Sequence, residues 1–438
     1  MNPRGLIVAA ARSGAGKTVI TLALLSALKR RGVAVRAAKA GPDYIDPGFH
    51  AAATGAAARN LDSWAMPPAL LDALVTQTSA EMLVIEGVMG LFDGVAGPPG
   101  RCGTTADLAA RFRLPVVLVL DVGGQSQSAA AVLRGFAGHD PAVRIAGVIL
   151  NRVGSARHRA LVADAIAALD LPVPIPLLGA VPRDAILALP ERHLGLVQAG
   201  EHGNLTDWLP RLAETAEQHL DVEAVLACAA PIAAAASTVS GLPPPGHRVA
   251  LAADGAFTFV YPHILDGWRR RGAEIVRFSP LADEPPPDDC DACWLPGGYP
   301  ELHAGALAAA ARFRAGLARF AQTRPVHGEC GGYMVLGQGL VDADGTRHAM
   351  AGLLGHATSF AERKLQLGYR EARLRTDCPI GSAGSAVRGH EFHYATLVAP
   401  GNDAPLADLT DGQDRALGPA GGARDRVTGS FFHAIAQV

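Results

Sequence analysis

Leu6-Ile7-Val8-Ala9-Ala10-Ala11-Arg12-Ser13-Gly14-Ala15-Gly16-Lys17-Thr18 decides the reading of the first half of this chain. An apolar run, a glycine-rich loop and then residues 18–28 at helical spacing is the layout of a phosphate-binding P-loop. Glycines let consecutive backbone N–H groups close around phosphate oxygens, and the helix N-terminus adds its partial positive charge. Arg12, Ser13, Gly14, Ala15, Gly16, Lys17 and Thr18 are therefore expected to hold the phosphates of a nucleoside triphosphate. Lys17 reaches the β- and γ-phosphates in such loops, and the Thr18 hydroxyl reaches Mg²⁺. One position departs from the usual pattern, because Ala11 stands where a first glycine is common. The strand before the loop and the helix after it separate this stretch from an ordinary glycine-rich turn.

Outward from that loop, short β-branched runs alternate with amphipathic helices. Strands are expected at residues 5–9, 34–38, 82–85, 115–120, 145–150 and around 173–178. Such alternation implies an α/β fold with a mostly parallel sheet covered on both faces. Ligands of these sheets sit beyond the carboxyl ends of the strands, so the residues following each run carry the chemistry. Near residues 229–247 the pattern breaks into a Pro- and Ala-rich segment ending in Pro243-Pro244-Pro245-Gly246, which reads as a linker. Alternation resumes at residues 248–252, 274–278, 292–295 and 325–328. The expected organisation is a first domain over residues 1–228, a linker over 229–247 and a second α/β domain over 248–438.

The 438 residues carry a net charge of −2 and no basic run. Nucleic acid and anionic membrane therefore have no electrostatic footprint, and neither is an expected partner. No apolar stretch is long enough to span a bilayer. The N-terminus passes from Arg4 directly into a strand and does not read as a signal peptide, so the chain is expected in the cytoplasm. Six scattered cysteines are too few for a disulfide framework. Cys290 and Cys293 form a C-x-x-C that could suggest zinc or redox work, but no second pair or His pair at finger spacing follows, so neither is the favoured reading. Lysine is confined to Lys17, Lys29, Lys39 and Lys364, against a large excess of arginine. A lysine at a strand end is thus more informative here than usual, because a compact ammonium is a distinct tool for phosphates and carboxylates.

Lys39-Ala40-Gly41-Pro42-Asp43-Tyr44-Ile45-Asp46-Pro47 follows the second expected strand. Its lysine and two carboxylates suit phosphate, Mg²⁺ or substrate handling, and Asp43 and Asp46 also suit capping of a helix beginning near Pro47. Glu86 ends a buried strand and is placed to act on Mg²⁺ as a Walker-B acid does. Gly87-Val88-Met89-Gly90-Leu91-Phe92-Asp93-Gly94 then leaves little side-chain bulk, so a large ligand can approach, faced by Asp93. Asn151 closes a later strand where its amide suits the edge of adenine, or alternatively a turn cap.

In the second domain, Val326-His327-Gly328-Glu329-Cys330-Gly331-Gly332 is a strand, a G-x-C-x-G turn and a helix, the nucleophile-elbow arrangement with cysteine in place of serine. The helix N-terminus is expected to lower the Cys330 thiol pKa. Backbone N–H groups at Gly297, Gly298 and Gly331 are expected to form an oxyanion hole. The base is expected among His390, His393 and His433. His433 would end a strand over residues 429–432 at the same sheet edge as Cys330.

These phrases, with Leu189-Pro190-Glu191-Arg192-His193-Leu194-Gly195-Leu196 and Leu295-Pro296-Gly297-Gly298-Tyr299-Pro300-Glu301-Leu302, make the whole chain resemble the cobyrinic/hydrogenobyrinic acid a,c-diamide synthases of corrinoid biosynthesis. The resemblance implies an N-terminal P-loop domain like dethiobiotin synthetase and a C-terminal class I glutamine amidotransferase domain. It implies Cys330 as nucleophile and His433 as its base. In many class I amidotransferases a glutamate two residues after that histidine orients it. Here that position is Ile435, so a Cys–His dyad is expected and the group orienting His433 is left open.

The implied reaction uses ATP, Mg²⁺ and glutamine to amidate the a and c acetates of hydrogenobyrinic acid, or of its cobalt-containing counterpart in the near relative. Cys330 releases ammonia from glutamine, and a corrinoid carboxylate is activated as an acyl phosphate. Ammonia, kept from protonation in a passage between the domains, then displaces phosphate. ATP binding falls to the P-loop residues with Lys39 and Asn151. Mg²⁺ falls to Thr18, Asp46 and Glu86, and the corrinoid carboxylate to Asp43, Tyr44, Asp46 and Asp93. A homodimer is expected from relatives of the first domain. A partition-type ATPase shares the P-loop sheet but has no use for Cys330.

Overall fold

The computed structural model describes residues 3–77, 80–184, 191–192, 195–196, 198–201, 203–239 and 241–438. It divides into two compact units, Met1–Trp64 with Pro68–Val239, and Ala65–Pro67 with Ser240–Val438.

The first unit opens with β1 (Arg4–Ala10), α1 (Lys17–Arg30), β2 (Val35–Ala40), α2 (Asp46–Thr54), β3 (Arg59–Leu61) and α3 (Pro68–Thr76). It continues with β4 (Met82–Glu86), α4 (Thr105–Phe112), β5 (Val116–Asp121), α5 (Ser128–His139), β6 (Ile145–Val153), α6 (Ala156–Ala167) and β7 (Leu177–Pro182). The short pair β8 (Glu191–Arg192) and β9 (Gly195–Leu196) precedes α7 (Leu205–His219), α8 (Val222–Cys228) and β10 (Ala230–Pro231). The main sheet runs β3-β2-β4-β1-β5-β6-β7. All of these pairings are parallel. Residues Leu6 to Ala10 of β1 are fully buried at its centre, as expected of a strand covered on both faces.

Two expectations shift. The last strand begins at Leu177 rather than near residue 173, because Pro172, Pro174 and Pro176 each lack the N–H a sheet strand donates. The segment read as a linker begins with β10, which pairs antiparallel with Arg4 and Gly5 of β1. A proline is accepted there because the pairing is only two residues long.

The second unit carries β11 (Arg248–Ala252), α9 (Pro262–Arg270), β12 (Glu274–Phe278), β13 (Ala292–Leu295), α10 (Ala304–Ala309), α11 (Ala311–Ala321), β14 (Val326–Glu329) and α12 (Gly331–Leu336). Short strands β15 (Gly339–Val341), β16 (Arg347–Ala349) and β17 (Ala357–Ser359) follow, then β18 (Gln366–Leu374), β19 (Ala386–His393) and β20 (Thr396–Ala399). The chain closes with β21 (Ala407–Asp411), β22 (Ala416–Ala420), β23 (Gly422–Arg424), β24 (Val427–Ser430) and β25 (His433–Gln437). The sheet β12-β11-β13-β14-β24-β23 is parallel except at its β23 edge. A five-stranded antiparallel sheet, β22-β21-β18-β19-β25, lies beside it in the chain's connectivity.

The late strand expected at residues 429–432 ends at Ser430 instead. Phe431 and Phe432 are both buried, and Phe432 N donates to Ser430 Oγ at 3.1 Å instead of to a neighbouring strand. The chain turns at this pair and leaves the parallel sheet, and His433 opens β25 of the antiparallel one.

Candidate active site

In the first unit the loops after β1, β2, β4, β5 and β6 meet at one edge of the sheet through named contacts. Gly14 and Gly16 of the P-loop adopt φ of 71° and 93°, a region costly for any residue with a Cβ. Ala11 is not among the positive-φ residues, which is why alanine suffices where glycine is common. Lys17 Nζ donates to Met89 O at 2.5 Å and lies 3.5 Å from Arg12 O, bridging the P-loop to the loop after β4. Burial, and then the nearby charge of Lys39, lower the Lys17 ammonium to about 8.

The strand ends converge on Glu86, which is fully buried. Thr18 Oγ1 donates to Glu86 Oε1 at 2.7 Å, and Lys39 Nζ donates to the same oxygen at 2.8 Å. Lys39 also pairs with Asp46 Oδ2 at 2.5 Å. His50 Nε2 lies 2.6 Å from Glu86 Oε2. Burial works against the Glu86 carboxylate, but Lys39 and His50 override it and hold its pKa far below the usual range. Burial likewise opposes the Lys39 ammonium, and the charges of Asp46, Glu86 and Asp43 reverse the balance and keep it protonated. Asp46 shifts the other way, raised by burial and by Asp43 against the pull of Lys39. The oxygens of Thr18, Glu86 and Asp46 are the hard donors Mg²⁺ takes. Among the described residues no three His, Cys, Asp or Glu side chains form a complete metal cage. A cation held by a few protein oxygens, its other ligands coming from phosphates and water, fits that donor set.

Asp43 Oδ1 accepts from the N–H groups of Ile45 and Asp46, each at 2.8 Å, and so fixes the entry to α2. Asp93 Oδ2 accepts from Gly90 N at 2.8 Å and folds its glycine-rich loop. Both carboxylates are thus placed by the local backbone, and Tyr44 is half-buried between Asp43 and α2 in sequence. Asn151 donates from Nδ2 to Ala15 O at 2.9 Å, and its Oδ1 accepts from Arg152 N at 3.0 Å. The amide expected to read adenine therefore braces the P-loop. It still lines a cavity of about 130 Å³ with Gly16, Val19, Arg152, Pro182, Arg183 and Asp184. Arg12 and Arg152 both pair with Asp121 Oδ2 at the end of β5, at 2.5 and 2.6 Å. Leu189, Pro190, His193 and Leu194 lie outside the described residues, as do the side chains of the four residues in β8 and β9.

In the second unit Cys330 sits between β14 and α12 with φ 47° and ψ −104°, a strained backbone for a residue with a Cβ. Its N–H donates to Ser430 O at 2.8 Å, tying the turn to β24. The turn is possible because of close approach: a Cβ on Gly332 would overlap Leu295 O, and one on Gly328 would lie 2.7 Å from the Gly332 carbonyl carbon. A Cβ on Gly297 would overlap His433 Cε1 and lie 3.4 Å from Cys330 Cβ, so the cysteine and the imidazole flank one point. Gly298 N lies 3.0 Å from the Cβ position of Gly331, which groups the three glycines expected to donate N–H bonds.

One electrostatic expectation is overturned. The helix after Cys330 has only six residues, and burial, followed by the charge of Glu301, pushes the thiol well above its ordinary pKa. His433 is held neutral by burial and by His390 and His393. The His390 ring stacks on it at 5.2 Å, and Tyr261 Oη lies 3.2 Å from His390 Nδ1. His390 and His393 thus surround the imidazole that adjoins Cys330. Cys290 and Cys293 are buried free thiols, both raised by burial.

Residues 6–197 match the family model of the CobQ/CobB/MinD/ParA nucleotide binding domain, and residues 248–437 match that of the CobB/CobQ-like glutamine amidotransferase domain. The chain is 62% identical over its whole length to a hydrogenobyrinate a,c-diamide synthase of Mesorhizobium japonicum, 99% of which is covered. It is 57% identical to the enzyme of that name from Agrobacterium fabrum, with both chains covered completely. Against the one from Rhodobacter capsulatus it is 55% identical over 99% of each chain. The chain belongs to the hydrogenobyrinate a,c-diamide synthase family. It combines a nucleotide-binding P-loop domain with a glutamine amidotransferase domain.

Within that family assignment, the sequence reading passed over His50 and Glu329. The signal for His50 was its i, i+4 spacing from Asp46, which puts both on one face of α2. For Glu329 it was an acid at a strand end beside a nucleophile.

Proposed function

We propose that the protein uses ATP and glutamine to convert the a and c acetate carboxylates of hydrogenobyrinic acid into amides. The observation that carries this is the coexistence, in one chain, of a phosphate loop wired to a buried Lys–Glu–His network and an elbow cysteine beside an imidazole.

In the glutaminase half, Cys330 Sγ attacks the side-chain carbonyl carbon of glutamine, and His433 takes the thiol proton. The imidazole then delivers that proton to the departing amide nitrogen, ammonia leaves and a thioester remains. N–H groups at Gly297, Gly298 and Gly331 receive the oxyanion. Water hydrolyses the thioester to glutamate and restores the thiol.

In the synthetase half, Lys17 and the P-loop N–H groups grip the phosphates, and Lys39 neutralises charge on the transferred group. Arg12 and Asn151 complete the nucleotide contacts, the latter by keeping Ala15 in place. Mg²⁺, when bound by Thr18, Glu86 and Asp46, supplies charge neutralisation on the phosphates. Asp43, Tyr44, Asp46 and Asp93 orient the corrinoid carboxylate, which becomes an acyl phosphate. Ammonia displaces phosphate from it, and the cycle repeats at the second acetate. The unit bounds 1–228 and 248–438, a homodimer and a cytoplasmic location belong to the same proposal. Among the described residues no helix is long and apolar enough to cross a membrane.

Alanine replacement of Asp43, Asp46 or Asp93 tests the assignment. Amidation should fall while glutamine hydrolysis stays intact. Equal loss of both activities would mean that the chain had lost its fold, and unaltered amidation would remove these residues from the site.

A further inference from the structure

Glu329 is a buried acid immediately before Cys330, and the mechanism above gives it no part. Only 3% of it is exposed. Its Oε1 accepts from Ala434 N at 2.9 Å, the backbone donor directly after His433. Its Oε2 lies 4.0 Å from His433 Nδ1. The strand geometry forces this approach. Glu329 pairs with Ser430 at the end of the β14–β24 ladder, and the Phe431-Phe432 corner brings His433 back past the same strand end. At Ile435, by contrast, the chain offers a fully apolar buried side chain.

We propose that Glu329 is the positioning residue for His433, orienting the imidazole through Nδ1 and stabilising the imidazolium that forms during glutamine hydrolysis. This rests on the glutaminase reading given above. With Nδ1 on the Glu329 side, Nε2 is the nitrogen that serves Cys330. No proton passes to Glu329. The thiol proton moves to Nε2 and on to the leaving ammonia, while Glu329, once ionised, faces the Nδ1–H. A separation of 4.0 Å is longer than a hydrogen bond, and catalytic bonds of this kind tighten when substrate binds. The Oε1 bond to Ala434 N leaves Oε2 as the oxygen that swings.

Burial raises the Glu329 carboxyl to about 8, so near neutral pH the free protein holds this centre largely uncharged. The ionisable groups around it are Cys330, Glu301 and Glu391 near the thiol, and His390 and His393, themselves faced by Arg370, near the imidazole. Charge on His433 favours ionisation of Glu329, and the converse holds. The active form is therefore the one in which Glu329 has released its proton to solvent, and its carboxylate then stabilises the imidazolium as His433 charges.

The test compares Glu329→Gln and Glu329→Asp in the full chain. Glutamine keeps an oxygen for Ala434 N but carries no charge, so it separates orientation by charge from a mere backbone clamp. For E329Q the expected glutaminase kcat falls on the order of 10²-fold, with KM for glutamine within about twofold. The rise of kcat/KM with pH through about 8 should vanish, and ammonium-driven amidation should persist. E329D should keep that rise and an intermediate kcat. An E329Q protein with native thermal unfolding that retains both kcat and the pH limb overturns the proposal, as does an E329D protein that behaves like E329Q. Cys330→Ala serves as the reference: if it still hydrolyses glutamine, the glutaminase reading itself has failed, whatever Glu329 does.

Discussion

Replacing Gly297 with alanine should disable glutamine hydrolysis and leave ammonium-driven amidation untouched. The added methyl would overlap His433 Cε1 and approach Phe259 Cδ2 at 3.3 Å and Cys330 Cβ at 3.4 Å. The backbone cannot retreat, because the Gly297 carbonyl accepts from both Thr258 N and Phe259 N, at 3.0 and 2.9 Å. Cys330 is locked in its turn, so His433 is the group that yields. Two carbons need about 3.5–4 Å between them, which requires the imidazole to move by roughly 1 Å or more. Misplacement of that size costs on the order of 10²-fold in rate. Overpacking should lower stability by about 1–3 kcal/mol, within reach of a folded protein. Glutamate release from glutamine, read by a coupled dehydrogenase, measures the first activity, and mass spectrometry of the corrinoid product with ammonium chloride measures the second. A G297A protein hydrolysing glutamine within about threefold of the parent would refute the placement of Cys330 and His433 around this glycine.

Other perturbations address the nucleotide half. Lys39→Met strips the buried acids Glu86 and Asp46 of their shared cation, so unfolding should become easier by about 3–5 kcal/mol in urea titration, and unchanged stability would contradict the network. Asn151→Ala removes the brace on Ala15 and should raise KM for ATP several-fold with glutaminase unaffected; an unchanged KM would leave the brace without consequence. Lys17 carries a pKa lowered to about 8, so its ammonium is present below that pH and lost above it. ATP affinity should weaken as pH rises from 7 to 9.5, with proton uptake on binding seen by calorimetry in buffers of differing ionisation enthalpy. Gly135 lies inside α5, and a methyl added there would meet nothing within 4 Å, so G135A should stabilise the protein by roughly 0.5–1 kcal/mol in the same urea titration.

Much of this architecture is written locally. The P-loop, the strand that ends in Glu86 and the elbow at Cys330 each depend on a few adjacent residues whose backbone demands are severe. Glycine at 14, 16, 328 and 332 has steric reasons that a reader of sequence can name. The antiparallel sheet of the second unit was not legible, because β18, Gln366-Leu367-Gly368-Tyr369-Arg370-Glu371-Ala372-Arg373-Leu374, buries alternate residues only in part and carries charge on both faces. The corner at Phe431-Phe432 was missed for a related reason: two adjacent aromatics prolong a strand in pattern, and the Ser430 hydroxyl that takes the Phe432 N–H is set by the folded turn. The thiol pKa was misjudged because helix direction is visible in sequence while depth of burial is not. Asn151 and Asp93 were found as positions, but the backbone groups that occupy their side chains, Ala15 O and Gly90 N, are set by the folded loops and not by residue type.

The most direct test offers the purified protein ATP, Mg²⁺, hydrogenobyrinate and glutamine labelled with nitrogen-15 in its side-chain amide. Mass spectrometry should find two carboxylates converted to amides, both carrying the label, with Cys330→Ala giving amides only from added ammonium. Labelled amides formed by the Cys330→Ala protein, or a parent protein that leaves the corrinoid unamidated, would contradict the account.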